Sequence, residues 1–301
     1  MTTEGTSRRS EGLDILPTAD AVSRMFEGQL EAAAAVRSQI SGLATAAEDA
    51  AERLRNSLGR LVYIGAGTSG RLAVLDGAEL EPTFGWSRER LVYGLAGGMR
   101  ALSGSVENAE DDEDAAREFV RSAALNRDDV VIGVSASGTT PYTVSAMREA
   151  SALGALTIGI ASNSGAPLLL AVEHRILLET GPELVSGSTR MKAGTAQKIA
   201  LNLLSTAIML RLGRIYDGLM VDMRISNRKL RARAIGIVAQ ISGAGEKDAE
   251  SALDLAQDDI KVAVLVAMGL EHEKAIELLA ASRGNLRNAI QSVRPNEPEG
   301  I

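Results

Sequence analysis

An apolar strand that runs directly into glycine, serine and threonine and then into a helix constrains this chain more than any other feature. Residues 61–82 read LVYIGAGTSGRLAVLDGAELEP. The pattern predicts a strand over 60–64 and a helix over 70–81, which Pro82 ends because proline disfavours helix at the preceding residue. The N-terminus of such a helix presents free N–H groups and the positive end of its dipole. We therefore predict an anion site where this strand ends.

Two nucleotide-binding motifs resemble this loop but fit it poorly. Gly65, Gly67 and Gly70 match the G-x-G-x-x-G spacing of dinucleotide sites. That motif also needs an acidic residue at the end of the next strand, where it binds a ribose. The next predicted strand, 91–95, is followed by Ala-Gly-Gly-Met-Arg, and the chain contains no Gly-Lys-Ser/Thr of a P-loop. We therefore favour a monophosphate site over a dinucleotide site.

Similar polar loops recur along the chain. Predicted strands over 129–134 and 155–160 also end in serine, threonine and glycine, and the loop 186–189 precedes a long helix over 191–212. Short strands separated by helices predict an α/β fold with a doubly wound parallel sheet, whose ligands bind beyond the strand C-termini. One such loop alone is most simply a turn or helix cap. Several at one sheet edge indicate a sugar phosphate as ligand.

The pattern divides the chain into three predicted segments. An N-terminal arm with packing helices covers 1–59, the sheet domain covers 60–223, and a purely helical segment covers 224–301. Within the last segment, we expect a small domain of three helices at about 247–291.

Composition narrows the classes of function. Of 301 residues, 45% are hydrophobic and 24% are charged, which is typical of a soluble globular protein. A net charge of −7 disfavours nucleic acid or an anionic membrane as partner. The chain has no cysteine and two histidines, which excludes thiolate chemistry and a metal centre rich in either residue. Because we find no membrane-spanning segment and no apolar signal core, we expect a cytoplasmic protein.

Several loop sequences resemble those of known families. GAGTSGR and SASGTTPY resemble the sugar isomerase (SIS) fold of phosphosugar isomerases and regulators. Further strings, from Thr3-Glu4 onward, are similar to the N-acetylmuramic acid 6-phosphate etherase family: LDGAELEPTFG, ENAEDD, SGSTRMKAGTAQK and LMVDM. Thr139 departs from the arginine common in that family, which puts one ligand contact in doubt. The segment MGLEHEKAIELLAASRGNLRNAI resembles a ubiquitin-associated (UBA-like) three-helix module.

The resemblance implies an activity and its residues. It implies cleavage of the D-lactyl ether of N-acetylmuramic acid 6-phosphate by elimination and water addition, with no cofactor and no metal. By motif position, Glu79 is the general acid and Glu110 the base. The predicted substrate-binding residues lie in the polar loops and at the start of the long helix: Thr68, Ser69, Ser135, Ser137, Gly138, Thr139, Thr140, Ser188, Thr189 and Lys192.

The residues themselves support these two roles only in part. Leu72, Leu75 and Glu79 fall on one face of the predicted helix, and burial on that face would keep a carboxyl protonated, as an acid requires. The alternative is a glutamate at the edge of a packed face. We expect Asp76, on the same face, to be a structural hydrogen-bonding group. The acidic run around Glu110 is equally typical of a helix N-terminus.

Helix length suggests a site shared by two subunits. Glu79 lies nine residues beyond Gly70, about 13 Å along an ideal helix. We therefore expect a homodimer in which Glu79 or Glu110 comes from the partner, with the apolar helix 199–210 as a candidate interface. The alternatives are a sugar-phosphate-sensing regulator, an aldose–ketose isomerase, an NAD-dependent oxidoreductase and an interaction module. The presence of both glutamates favours the etherase.

Overall fold

The computed structural model describes residue 3 and residues 5–293, which form two compact units. The first unit comprises the described residues up to 78 together with 87–208, and the second comprises 79–86 and 209–293. The described residues do not include 1, 2, 4 and 294–301. Glu4 of the family match, the start of the predicted segment 1–59 and the end of the predicted segment 224–301 therefore lie outside them.

A five-stranded parallel sheet forms the centre of the first unit, as predicted. Its strands are β1 Leu61–Gly65, β2 Leu91–Leu95, β3 Val130–Val134, β4 Leu156–Ala161 and β5 His174–Leu177. Their spatial order is β2-β1-β3-β4-β5. Gly65 is in register with Leu95 and with Val134, so β1, β2 and β3 all end at the same edge. The loops that follow them therefore meet there.

Helices precede the first strand, connect the strands and follow the last strand. They are α1 Thr18–Arg37, α2 Ile40–Arg55, α3 Gly67–Ala78, α4 Leu80–Phe84, α5 Glu113–Ser122, α6 Pro141–Ala152, α7 Pro167–Leu170, α8 Lys192–Arg211, α9 Arg228–Ser242, α10 Glu246–Leu255, α11 Ile260–Ala267, α12 His272–Ala281 and α13 Leu286–Val293. Throughout the described chain, none of them combines the length and apolarity that a membrane-spanning segment needs.

The helix after β1 differs from its prediction at both ends. It begins at Gly67 and ends at Ala78, so Glu79 follows it rather than lying within it. Pro82 does not stop a helix, because it lies in α4 at the third position. Proline is tolerated in a first turn, where its missing N–H would have no acceptor within the helix.

Apolar packing on the sheet explains two glycines inside its strands. Gly133 of β3 lies beside Gly159 of β4. A methyl group on Gly133 would lie 2.6 Å from Met147 of α6, and one on Gly159 would lie 2.9 Å from Val172. Both glycines therefore let covering side chains approach the sheet closely.

The second unit is helical, with one helix more than predicted. Residues 247–291 were expected to form three helices, but α10 to α13 fall in this region. The missed break lies between α10 and α11, where Gln257 and Asp258 adopt positive φ angles and Asp259 caps α11 through the N–H of Val262. The break contains neither glycine nor proline, so the usual sequence signal is missing.

Candidate active site

A cavity of about 420 Å³ lies in the first unit at the carboxyl ends of β1, β2 and β3. Small and polar side chains provide most of its wall. The lining residues are Ala66, Gly67, Thr68, Ser69, Arg71, Ala96, Ala101, Gly104, Ser105, Val106, Ala109, Glu110, Ser135, Ala136, Ser137, Thr140 and Thr189. This is the edge where ligands bind in parallel sheets of this kind.

The start of α3 forms the floor of an anion site in this cavity. Gly67, Thr68 and Ser69 form its first turn and line the cavity. The N–H groups of a first turn have no acceptor within the helix. Only at Gly70 does backbone bonding begin, with its N–H donating to the carbonyl of Ala66 at 3.0 Å. These free donors and the helix dipole favour a phosphate group.

Close packing explains the glycine pattern of this loop without a dinucleotide. A methyl group on Gly65 would lie 2.8 Å from the Cα of Gly70, and one on Gly70 would lie 2.7 Å from the carbonyl carbon of Gly65. These two glycines therefore let β1 and α3 cross at short distance. Gly67 has a φ of +52°, which favours glycine.

Glu110 is held beside this first turn. A methyl group on Gly67 would lie 2.7 Å from the Oε1 atom of Glu110, so the carboxylate occupies the space that a side chain at 67 would fill. The carbonyl of Glu110 accepts a hydrogen bond at 3.0 Å from the N–H of Tyr142, in the first turn of α6. The hydrogen bond from α6 therefore fixes the backbone of Glu110, and its exposed side chain lies beside the start of α3.

Arg71 ties α3 to the segment that leads to Glu110. Its Nε donates to the carbonyl of Ala101 and its Nη2 to the carbonyl of Gly104, each at 2.8 Å. Both acceptors and the arginine itself line the cavity. The arginine thus closes one wall of the site.

The loop after β3 has a network of hydroxyl groups centred on Ser135. This side chain is buried, lies 2.8 Å from the hydroxyl of Thr140 and accepts a hydrogen bond from the N–H of Gly138 at 3.0 Å. Ser137 in turn accepts from the N–H of Thr139 at 3.2 Å. The loop is therefore ordered by its own polar groups.

Comparison with known proteins places this site in a family. Residues 42–151 match the model of the glucokinase regulatory protein N-terminal SIS domain, and residues 109–207 match the SIS domain. The chain is 48% identical over 279 residues to the N-acetylmuramic acid 6-phosphate etherase of Deinococcus radiodurans, covering 92% of this chain and 91% of the relative. The chain belongs to the N-acetylmuramic acid 6-phosphate etherase family.

Further comparisons agree with this etherase family membership. The etherase of Streptomyces coelicolor is 47% identical over 292 residues, with 96% of this chain and 93% of the relative covered. A solved structure described as a phosphosugar isomerase involved in capsule formation from Bacteroides fragilis matches with a TM-score of 0.51 at 18% identity. It covers 67% of this chain and 95% of that one, and it supports the SIS fold alone. The predicted family and fold are confirmed.

The structure brings together most of the residues that were predicted from the polar loops. Those that line the cavity are Thr68, Ser69, Glu110, Ser135, Ser137, Thr140 and Thr189. Gly138, Thr139 and Ser188 lie in the same loops but are not among the lining residues. Ligand contact by these residues stays a prediction.

Lys192 has other partners in the structure. Its buried ammonium group donates to Glu31 at 2.9 Å and to the carbonyl of Pro182 at 3.3 Å. The hydrogen bond from Lys192 lowers the pKa of Glu31. The predicted contact of Lys192 with substrate has no support from this geometry, and its observed role is an ion pair with α1.

Glu79 has surroundings different from those predicted. It precedes α4 in the second unit, is exposed, and makes no capping hydrogen bond to that helix. Leu75, expected on the same buried face, is 56% exposed. Of the two readings left open for Glu79, burial on a helix face is therefore not observed, because the buried face of α3 is formed by other residues, among them Ala73 and Val74.

Asp76 has the structural role predicted for it. It is buried and accepts hydrogen bonds from the hydroxyl of Tyr63 at 3.0 Å, the amide of Asn202 at 2.6 Å and the hydroxyl of Ser205 at 3.2 Å. Burial raises the pKa of Asp76, although these three donors oppose that shift.

Arg71, by contrast, was not predicted as a site residue. Its position directly after the GAGTSG loop is the sequence signal that would have identified it.

Proposed function

We propose that this protein cleaves the D-lactyl ether of N-acetylmuramic acid 6-phosphate and releases N-acetylglucosamine 6-phosphate and D-lactate. It would be a carbon–oxygen lyase that recycles cell-wall sugars in the cytoplasm. The observation that carries the proposal is the identity of 48% to a named etherase over 92% of the chain. The cavity adds chemical support, since it combines an anion site with a carboxylate.

Phosphate binding follows from the start of α3. Gly67, Thr68 and Ser69 line the cavity and form the first turn of α3, whose N–H groups have no acceptor within the helix. Such donors suit the oxygens of a phosphate monoester. Ser135, Ser137 and Thr140 line the cavity as well, and hydroxyl side chains suit a polyhydroxyl sugar.

Elimination is the chemistry that a cavity of this composition supports. In the open-chain sugar, the C1 aldehyde acidifies the proton on C2. A base takes that proton, a C2–C3 double bond forms, and the C3–O bond breaks while an acid protonates the departing lactyl oxygen. Water then adds its oxygen to C3 and a proton to C2. The reaction needs two carboxyl groups that begin in opposite protonation states.

Glu110 suits the role of base in this sequence. Its carboxylate lies beside Gly67, next to the proposed phosphate site, and its backbone is fixed by the N–H of Tyr142. We assign the role of acid to Glu79, by its position in the family motif. After it has given its proton to the lactyl oxygen, Glu79 would activate the incoming water.

A homodimer would supply the second carboxyl group from a partner subunit. From Gly67 to Ala78, α3 extends about 16 Å, which is long for a single bound sugar phosphate to bridge. Exposed apolar residues give such a dimer a candidate surface: Val22, Phe26 and Leu30 of α1 are 53%, 59% and 51% exposed at a spacing of four residues. Leu203 of α8 is 49% exposed. A stripe of this kind is typical of an interface.

Subunit mixing tests the shared site. Chains carrying Glu79→Ala and Glu110→Ala, each inactive alone, are co-expressed with different tags and purified together. If each site takes one glutamate from each subunit, random pairing restores about a quarter of the wild-type activity. Absence of rescue in a verified heterodimer would show that both glutamates act within one chain.

Turnover in heavy-oxygen water tests the reaction itself. We expect D-lactate without label and N-acetylglucosamine 6-phosphate labelled at C3, located by fragmentation because the C1 aldehyde also exchanges its oxygen with water. Label in the lactate would show that water attacks the lactyl carbon, and it would contradict the elimination mechanism. Binding without turnover would favour a sugar-phosphate sensor, the second candidate, which the match to the glucokinase regulatory protein domain supports.

A further inference from the structure

We propose that Glu183 is a positioning residue that holds the loop 184–191 closed, so that Thr189 faces the cavity. This inference rests on the proposed function, because it concerns the binding of the same substrate. Glu183 is fully buried, with 0% of its surface exposed. It is not among the residues that line the cavity.

The carboxylate of Glu183 caps α8 from outside the helix. Its Oε2 accepts a hydrogen bond from the N–H of Lys192 at 2.9 Å, and its Oε1 accepts from the N–H of Ala193 at 3.0 Å. These are the first two N–H groups of α8, which lack acceptors within the helix. The positive end of the helix dipole compensates the buried negative charge.

These two hydrogen bonds join the ends of the loop 184–191. Bonds within the loop are local, such as that from the N–H of Met191 to the carbonyl of Ser188 at 3.2 Å. The carbonyl of Thr189 accepts from the N–H of Gly194 at 2.8 Å. The orientation of Thr189 therefore depends on the position of the first turn of α8, which Glu183 fixes.

The same turn brings Thr189 close to the proposed phosphate site. A methyl group on Gly194 would lie 3.3 Å from the carbonyl oxygen of Thr189 and 3.6 Å from the Cγ2 atom of Thr68. Thr68 and Thr189 therefore both lie close to Gly194, and both line the cavity. A shift of the first turn of α8 would separate them.

Glutamine cannot replace this glutamate. Both carboxylate oxygens accept from an N–H group, whereas a glutamine side chain offers one oxygen and one NH2 group. In Glu183→Gln, the NH2 group would face a backbone donor, so one buried N–H would lose its acceptor. Glu183→Asp keeps two acceptors on a shorter side chain. The exposed Glu179 provides a matched control in Glu179→Gln, which removes the same charge without disturbing a cap.

Steady-state kinetics with N-acetylmuramic acid 6-phosphate separate positioning from folding. For Glu183→Gln, we expect KM to rise about tenfold while kcat changes by less than about threefold. Glu183→Asp should have a smaller rise, and Glu179→Gln none. An unchanged KM in Glu183→Gln would overturn the proposal. If this variant does not fold, an unchanged KM in Glu183→Asp would overturn it instead.

A double-mutant cycle tests whether Glu183 acts through Thr189. Thr189→Val should raise KM alone, and it should add little to the effect of Glu183→Gln, because the hydroxyl group is already displaced. Fully additive effects would contradict the proposal. Hydrogen exchange in 184–195 should be at least about tenfold faster in Glu183→Gln, with the sheet unaffected.

The wild-type chain in the same assay separates this inference from the proposed function. Absence of wild-type turnover would overturn the function but would leave the exchange measurement to decide the role of Glu183. Normal wild-type turnover with unchanged loop exchange in Glu183→Gln would overturn the positioning role alone.

Discussion

Glu110 and Glu79 are the same type of residue with the same predicted importance, yet their surroundings contrast. Glu110 lines a cavity, has its carboxylate beside Gly67, and is fixed through its carbonyl by the N–H of Tyr142. Glu79 is exposed in the second unit and makes no capping hydrogen bond to the helix that follows it. Both side chains are exposed, but only that of Glu110 lies against the wall of the cavity.

The contrast shows which step of the proposed reaction is supported by contacts within a single chain. Proton removal from C2 requires a base held beside the bound phosphate sugar, and the contacts of Glu110 meet that requirement. Protonation of the lactyl oxygen requires an acid shielded from water. We interpret the exposure of Glu79 as a reason to expect its shielding in the proposed dimer.

The largest expected effect distinguishes the two glutamates by the step each performs. Glu110→Gln and Glu79→Gln should each lower kcat by about a thousandfold, which is within the range for a general acid or base. In heavy water, NMR should show that Glu79→Gln still exchanges the C2 proton of the substrate, because the base is intact. Glu110→Gln should not exchange it.

The exposed Glu107, in the same acidic segment, provides the control for this prediction, and Glu107→Gln should retain full activity. Exchange at C2 in Glu110→Gln would contradict the role of Glu110 as base. Loss of exchange in Glu79→Gln would reverse the assignment of the two roles.

A somewhat smaller effect should come from Gly67, which shapes the surroundings of Glu110. In Gly67→Ala, the new methyl group would lie 2.7 Å from the Oε1 atom of Glu110, at a φ of +52°. We expect kcat to fall about a hundredfold because the carboxylate is displaced from its productive position. Steady-state kinetics measure the effect.

Gly165→Ala separates displacement from backbone strain. Gly165 has a φ of +70°, and a methyl group there would meet nothing within 4 Å. This variant should lose stability in thermal unfolding, by about 1 kcal/mol, and should retain its kcat. Equal losses of kcat in both glycine variants would show that strain rather than displacement is responsible.

The sequence was informative where structure depends on local patterns. Four of the five parallel strands, β1 to β4, were predicted to within one residue at each end, because strands buried on both faces consist of short apolar runs. Pro141, in the first turn of α6, is a local signal of the same kind, because proline suits that position. The polar loops followed from these strands, and six of the ten predicted binding residues line the cavity.

The remainder depends on contacts between distant parts of the chain. Only the fold shows that the carboxylate of Glu110 fills the space above Gly67, or that Arg71 donates to the carbonyl groups of Ala101 and Gly104. The end of α3 before Glu79 was missed because helical periodicity continues from α3 into α4 without a breaking residue at the junction. Helical periodicity therefore placed Glu79 on the apolar face of a longer helix, whereas in the structure Glu79 lies beyond α3 and is exposed.

The smallest expected effect concerns Asp76, three residues before Glu79. Burial raises the pKa of Asp76 above its ordinary value of 3.8, so the folded protein binds this proton more tightly than the unfolded chain does. The stability contributed by that proton is fully present below pH 3.8 and is lost as pH rises through the folded pKa. The side-chain amide of the variant Asp76→Asn does not titrate, and its oxygen can accept from Asn202 and Ser205 as the carboxylate does.

Denaturant unfolding of wild type and Asp76→Asn as a function of pH measures this contribution. The variant should differ from wild type by less than about 1.5 kcal/mol near pH 7. The stability of wild type relative to the variant should decrease as pH rises above 3.8. A relative stability that instead increases with pH would show that hydrogen bonds from Asn202, Tyr63 and Ser205 outweigh burial.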